Sequence, residues 1–216
     1  MLKIGNNIRK FSTYSCRPTS KDELKQIIED RVFKEGTNCD LNDIDVSLIT
    51  DMTWLFNESE FNGDISDWDV SNVVDMSDMF CESSFNGDIS RWNTSKVEDM
   101  SGMFYGTPFN SDISKWDTSN VKHMEWMFND SDFNQPIGYW DVSKVTNMGG
   151  MFNRSAFNQP IGNWDVSNVK SMGFMFNRSD FNQDISNWNL RKGGCSAIRA
   201  FMKCPIRNDY KPKALQ

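Results

Sequence analysis

Tryptophan stands at positions 68, 92, 116, 140, 164 and 188, always 24 residues apart. The pair Phe-Asn recurs in the same period at 61, 85, 109, 133, 157 and 181, and isoleucine at 65, 89, 113, 137, 161 and 185. Methionine recurs at 52, 76, 100, 124, 148 and 172, with a second methionine at 79, 103, 127, 151 and 175. Positions held in phase over most of a chain leave one class of architecture, a stack of repeating units. A 24-residue unit cannot bury its apolar face alone, but stacked copies cover one another. Each buried Phe, Trp or Met then contributes on the order of 1.5–3 kcal/mol.

Within a unit, "VxxMxxMF" puts apolar residues at i, i+3, i+6 and i+7, a spacing that predicts two or three helical turns. Ser71, Ser95, Ser119, Ser143 and Ser167 precede it as caps, and Ser95 with Glu98 reads as a capping box. The segment "DISxWDV" predicts a brief strand, interrupted by a bulge or turn because Ile and Trp are three apart. The expected fold is an α/β solenoid of short strand plus short helix units. Asn62, Asn86, Asn110, Asn134, Asn158 and Asn182 are expected to form a ladder that hydrogen-bonds turn backbone between units.

Arrays need ends. "SKDELKQIIEDRVFKEG" opens with Ser20 and Glu23, carries Leu24, Ile27, Ile28 and Val32 on one face, and stops at Gly36. The expected organisation is a basic segment over 1–18, an N-terminal capping helix over 19–36, the solenoid over 37–190, and a C-terminal cap with basic tail over 191–216. The repeat pattern stops after Leu190. "CSAIRAFMKC" then predicts a closing helix with Ile198, Phe201 and Met202 turned inward.

Charge is sorted along the chain. The net charge is −7, and residues 19–190 hold 29 of the 30 acidic groups but 12 of the 23 basic ones. That argues against nucleic-acid binding. An acidic body with basic ends suits a cationic partner or end-to-end self-association. No run is long and apolar enough to span a membrane, and the first residues lack a signal-peptide core. Five cysteines give no framework, and whether Cys195 and Cys204 pair stays open.

Catalysis finds no constellation. The one histidine, His123, occupies a slot filled elsewhere by Asp75, Asp99, Asn147 and Ser171. It reads as a solvated residue on a helix side. Asp64, Asp88, Asp112 and Asp184, like Asp69, Asp117, Asp141 and Asp165, recur as the repeat does, and turn roles account for them better than calcium. Asn57, Asn93, Asn129, Asn153 and Asn177 fall in Asn-x-Ser patterns and read as accidental loop chemistry. No enzyme activity, cofactor or metal is therefore expected.

The informative positions are those where units differ. Two residues past the first Met the series runs Asp78, Gly102, Trp126, Gly150, Phe174. Large aromatics in an otherwise polar or glycine slot are raw material for binding. Trp126 and Phe174, with Tyr139 and Tyr105, form the candidate partner-binding patch. The competing reading is that these rings pack on a neighbouring helix or loop.

Residues 157–179, "FNQPIGNWDVSNVKSMGFMFNRS", resemble the repeat "FNQ-DIS-WDVSNVT-M--MF--A" of the BspA-like leucine-rich-repeat family, in its mycoplasma-lipoprotein-type variant. The resemblance covers about residues 37–190, and 20–52 resembles the leader that often precedes such arrays. It implies a leucine-rich-repeat-like α/β solenoid and a non-enzymatic role. Family members are surface or secreted antigens and adhesins, and similar arrays occur in phages and large DNA viruses. With no signal peptide, lipobox or anchor in view, an intracellular or virus-associated location competes with surface display. A protein partner of unknown identity is expected; the alternative is a structural virion or filament part.

Overall fold

The structure is a computed structural model and describes residues 14–191 and 194–216. Lys3, Arg9 and Lys10 of the basic N-terminal segment lie outside them. The chain winds as stacked coils of 24 residues. Adjacent coils meet through isolated parallel bridges that step from Asp51 to Asp75, Asp99, His123, Asn147 and Ser171, and on to Ser196. Beside each bridge, alternate amides donate to the next coil. The N–H of Met76 reaches Asp99 O at 3.0 Å, Asp78 reaches Ser101 O at 2.7 Å, Phe80 reaches Met103 O at 3.0 Å, and Glu82 reaches Tyr105 O at 2.7 Å.

These bonds replace the secondary structure that the sequence predicts. Among the described residues there is one α-helix, two single 3-10 turns (Asn208–Tyr210 and Lys213–Leu215), and no strand longer than an isolated bridge. The units are therefore not strand plus helix, and the α/β solenoid is wrong. The reason lies in how a spacing of three arises. Trp68 N–H bonds Ile65 O, Val73 bonds Val70 O, and Met79 bonds Met76 O, at 2.9–3.3 Å. Each is a tight turn that begins and ends on a core residue. A run of such turns writes the same i, i+3 pattern as one face of a helix. The residue before the end of the Met76–Met79 turn, Asp78, has φ +54°, a left-handed conformation no α-helix contains. The serines cap nothing helical: Ser71, Ser95, Ser119, Ser143 and Ser167 each donate their backbone N–H to the Asx side chain two residues earlier.

The core consists of columns rather than layers. Phe56, Phe80, Phe104, Phe128, Phe152, Phe176 and Phe201 stack at 5.4–5.8 Å between ring centroids. A second phenylalanine column, from Phe61 to Phe181, repeats at 6.2–6.3 Å, with the two columns 4.0–4.8 Å apart. Nearly parallel rings at this spacing gain aromatic as well as area-burial energy. Each of the six tryptophans spaced 24 apart, Trp68 to Trp188, is buried and reaches back one coil, as Trp92 Nε1 donates to Ile65 O and Trp116 Nε1 to Ile89 O, both at 3.1 Å. On another edge Asn62 Oδ1 accepts the N–H of Asn86 at 2.8 Å. The same bond repeats through Asn110, Asn134, Asn158 and Asn182 at 2.9 Å.

The helix α1 spans Lys21–Glu35. Ser20 Oγ accepts the Glu23 N–H, while the Glu23 carboxylate accepts from Thr19 N and Oγ1 instead of closing the box on Ser20. Gly36, at φ +91°, ends it with its N–H on Val32 O. Leu24 and Ile28 are buried in the core, with Ile27 and Val32 partly so. Ion pairs from Lys21 to Asp51 and from Arg31 to Asp43 hold α1 to the coils.

At the other end no closing helix forms, and the repeat does not stop at Leu190. A one-residue insertion lengthens the period to 25, and the ladder continues: Met172 donates to Ser196 O, Phe174 to Ile198 O, Phe176 to Ala200 O and Arg178 to Met202 O. In this seventh coil Phe201 joins the phenylalanine column, while Ile198 and Met202 face outward. Cys195 and Cys204 are free thiols.

Replacing Trp116 by Phe keeps a ring in the stack but removes the indole N–H, leaving Ile89 O with the Trp92 N–H as its donor. Urea denaturation is expected to show a loss of about 0.5–1.5 kcal/mol for the hydrogen bond. The same change at exposed Trp54 should cost less than about 0.5 kcal/mol.

Candidate functional site

Inter-coil bonding forces two residues in every coil into left-handed conformations, four positions apart. The first slot holds Trp54, Asp78, Gly102, Trp126, Gly150 and Phe174, with φ between +54° and +65°. The second holds Glu58, Glu82, Gly106, Asp130, Arg154 and Arg178, with φ between +53° and +64°. Such backbone suits glycine, and a bulky side chain there is an outlier. Two slots per coil, stacked in register, wall a groove of about 810 Å³ running along the coils.

The first column is a ridge whose side chains lean onto the next coil. A Cβ at Gly150 would stand 2.3 Å from the Trp126 ring, and one at Gly102 would stand 2.0 Å from Asp78 Oδ1. Glycine at these two positions is thus the seat for the preceding side chain. Trp54 is 51% exposed and Trp126 41%. Phe174 is half-buried, with the Arg199 guanidinium 5.8 Å from its ring centroid. Beside Trp126 and Phe174 a smaller hollow of about 330 Å³ holds Glu125, whose Oε2 is buried without a hydrogen bond among the described residues and lies 3.8 Å from His123 Nδ1.

The groove floor is the residue just before the second slot: Asn57, Cys81, Tyr105, Asn129, Asn153 and Asn177. Asn153 Nδ2 bonds Asn129 Oδ1, and Asn177 Nδ2 bonds Asn153 Oδ1 at 2.7 Å. Asn177 is 93% buried, and among the described residues its Oδ1 has no partner. The Asn-x-Ser pattern at these three positions therefore reflects a second amide ladder, not loop chemistry.

Of the patch residues expected from sequence, Trp126, Phe174 and Tyr105 line this groove. Tyr139, 94% exposed, does not line it and stands just before the Trp140 of the tryptophan column. Trp54 belongs to the same ridge as Trp126. Its signal was present in "DMTWLF", two residues past Met52, in a coil whose other positions are degraded. None of the six ladder asparagines from Asn62 to Asn182 lines the groove. His123 is part of the inter-coil bridge column, with no helix beneath it.

Electrostatically the groove is acidic around Cys81. Burial, then Asp99, Asp75 and Glu125, raise the Asp78 carboxyl above its ordinary range. Burial, then Asp78, Glu82 and Glu58, push the Cys81 thiol up to about 11. The turn aspartates behave oppositely: Asp88, Asp112 and Asp184 are held below the usual range by the backbone and side chain of the serine two residues on. Among the described residues no three His, Cys, Asp or Glu side chains are placed to hold a metal ion, and no helix is long and apolar enough to cross a membrane.

Coils in register, aromatic columns and a groove built from recurring slots define a repeat protein. Residues 29–132 and again 106–205 match the family described as Mycoplasma protein of unknown function, DUF285, and the chain belongs to that family. No curated protein and no solved structure matches it.

A thiol raised this far is mostly protonated at neutral pH and reacts slowly. Iodoacetamide at pH 7.5, followed by peptide mass spectrometry, is expected to modify Cys81 more slowly in the folded chain than in urea. Asp78→Asn with Glu82→Gln lowers the thiol pKa and should speed folded-state labelling. An unchanged rate would remove the carboxylates as its cause.

Proposed function

We propose that this chain is a non-enzymatic protein–protein interaction module that works through the long groove. The observation that carries the reading is the placement of Trp54, Trp126 and Phe174 in left-handed slots. Holding an L residue there costs roughly 1–2 kcal/mol, and glycine fills the same slot at 102 and 150. Folding gains little from a half-exposed indole in such a place, whereas a partner gains a rigid aromatic anchor. Membership of the BspA-like group, with adhesion or host contact as its setting, is the finer form of this proposal. Carboxylates in the groove make nucleic acid an unsuitable occupant.

Self-association is a second reading, favoured by the two ends of the ladder. Among the described residues the N–H groups of Ala197, Arg199, Phe201 and Lys203 have no backbone acceptor, and the carbonyls of Asp51, Thr53, Leu55 and Asn57 accept no bond. Donors at one end match acceptors at the other, so coils of two molecules would continue one ladder. Light scattering across a dilution series separates the readings, because an assembler grows with concentration and a monomeric binder does not.

The test of the groove is a triple substitution by the residue two slots already hold, Trp54→Gly, Trp126→Gly and Phe174→Gly. The fold is expected to survive with an unchanged circular dichroism spectrum. A displayed random-peptide library should enrich binders on the wild type that bind the triple variant at least ten-fold more weakly. Equal binding by both proteins would contradict the proposal.

A further inference from the structure

The groove sorts its charges by position. Along the second slot the side chains run Glu58, Glu82, Gly106, Asp130, then Arg154 and Arg178, so carboxylates precede guanidinium groups from the first coil to the sixth. Asp78, on the opposite ridge, adds to the acidic half. Elsewhere on the surface, opposite charges one coil apart find each other: Arg91 pairs with Asp67 and Lys122 with Glu98, both at 2.7 Å. Asp130 and Arg154 are also one coil apart, yet they form no ion pair. Neither do Glu58, Glu82 or Arg178 pair with anything among the described residues. The left-handed backbone holds Glu58, Glu82, Asp130 and Arg154 along the groove without neutralising them, and Arg178 continues their column one coil beyond Arg154, past the groove lining. Between them the floor offers amide side chains, each able to donate and accept, and the buried Asn177 Oδ1 stands without a donor among the described residues.

We infer that the groove takes an extended peptide with cationic side chains over the Glu58 and Glu82 coils and anionic side chains at the end lined by Arg154, beyond which Arg178 continues the column. The inference rests on the groove reading given above and names its ligand. Length follows from pitch. The ridge from Trp54 to Phe174 crosses five coil intervals, about 24 Å at about 4.8 Å each, which an extended chain covers in about seven residues. Backbone amides of such a chain complement the Asn129, Asn153 and Asn177 side chains, and its apolar side chains meet Trp54, Tyr105 and Trp126. A neutral sugar has no use for sorted charge, and a polyanion is repelled by the acidic half. A second copy of this chain would bring one concave groove against another, and neither fills the other.

The experiment uses the full chain and two synthetic eight-residue peptides of identical composition, labelled for fluorescence polarisation. One carries two lysines at one end and two glutamates at the other; its isomer alternates the same charges. At 50 mM salt the sorted peptide is expected to bind at least five-fold more tightly, and the difference should shrink at 500 mM as screening grows. Glu58→Lys with Glu82→Lys should erase the preference and tighten binding of a peptide bearing glutamates at both ends. Equal affinity for the two isomers would overturn the inference, as would tighter binding of chitohexaose, or dimerisation in sedimentation that blocks the sorted peptide. The library selection separates this inference from the reading beneath it. Enrichment that depends on the three aromatics, with isomers bound equally, removes the charge order and leaves the groove; no enrichment and no isomer binding removes both.

Discussion

A backbone amide of one coil bonded to a carbonyl 23 residues further on is the interaction from which the rest follows. Because the bond recurs at every second residue from Met52 to Glu58 and at their equivalents, it fixes the period, the register and the parallel course of the coils. It also dictates the turns inside each coil, since four amides can face the next coil only if the intervening residues turn the chain back. Left-handed residues at two slots per coil are the local consequence. Phenylalanine, tryptophan and methionine columns then bury what each coil alone exposes. The arrangement tolerates an added residue between Leu190 and Ser196, because the bonds depend on registry beside the bridge and not on loop length.

Much of this was legible in the sequence, and the parts that were not have a physical cause. Period, phase and the core residues follow from the 24-residue recurrence, since only inward positions must stay large and apolar. Internal structure of the unit was misread because turns that start and end on core residues imitate helical spacing. Gly149-Gly150, at the centre of one supposed helix, carried the contrary signal: two glycines weaken a helix, and Gly150 suits a left-handed slot. The seventh coil was hidden by its one-residue shift and by alanines at Ala197 and Ala200 where methionines stand in the coil before.

The groove was partly legible for the same reason. Trp126, Phe174 and Tyr105 stand out as departures from a repeat, and departures with no use in the core point outward. Tyr139 departs from its series too, but its slot lies outside the groove. What sequence could not supply was the common cause, that left-handed backbone places the first and second slots on opposite walls. That cause joins Trp54 to the ridge and turns a scattered set of acids and arginines into an ordered column.

The central claim is that each coil is built from inter-coil bonds and tight turns, without helices. Backbone carbon chemical shifts and amide–Hα couplings, assigned by nuclear magnetic resonance across residues 19–190, test it most directly. Helical shifts are expected over Lys21–Glu35 alone, with left-handed signatures at Asp78, Glu82, Trp126 and Asp130 and at their equivalents one coil away. Consecutive helical shifts through Val73–Phe80 and the matching segments would contradict the account and restore a helix to every unit.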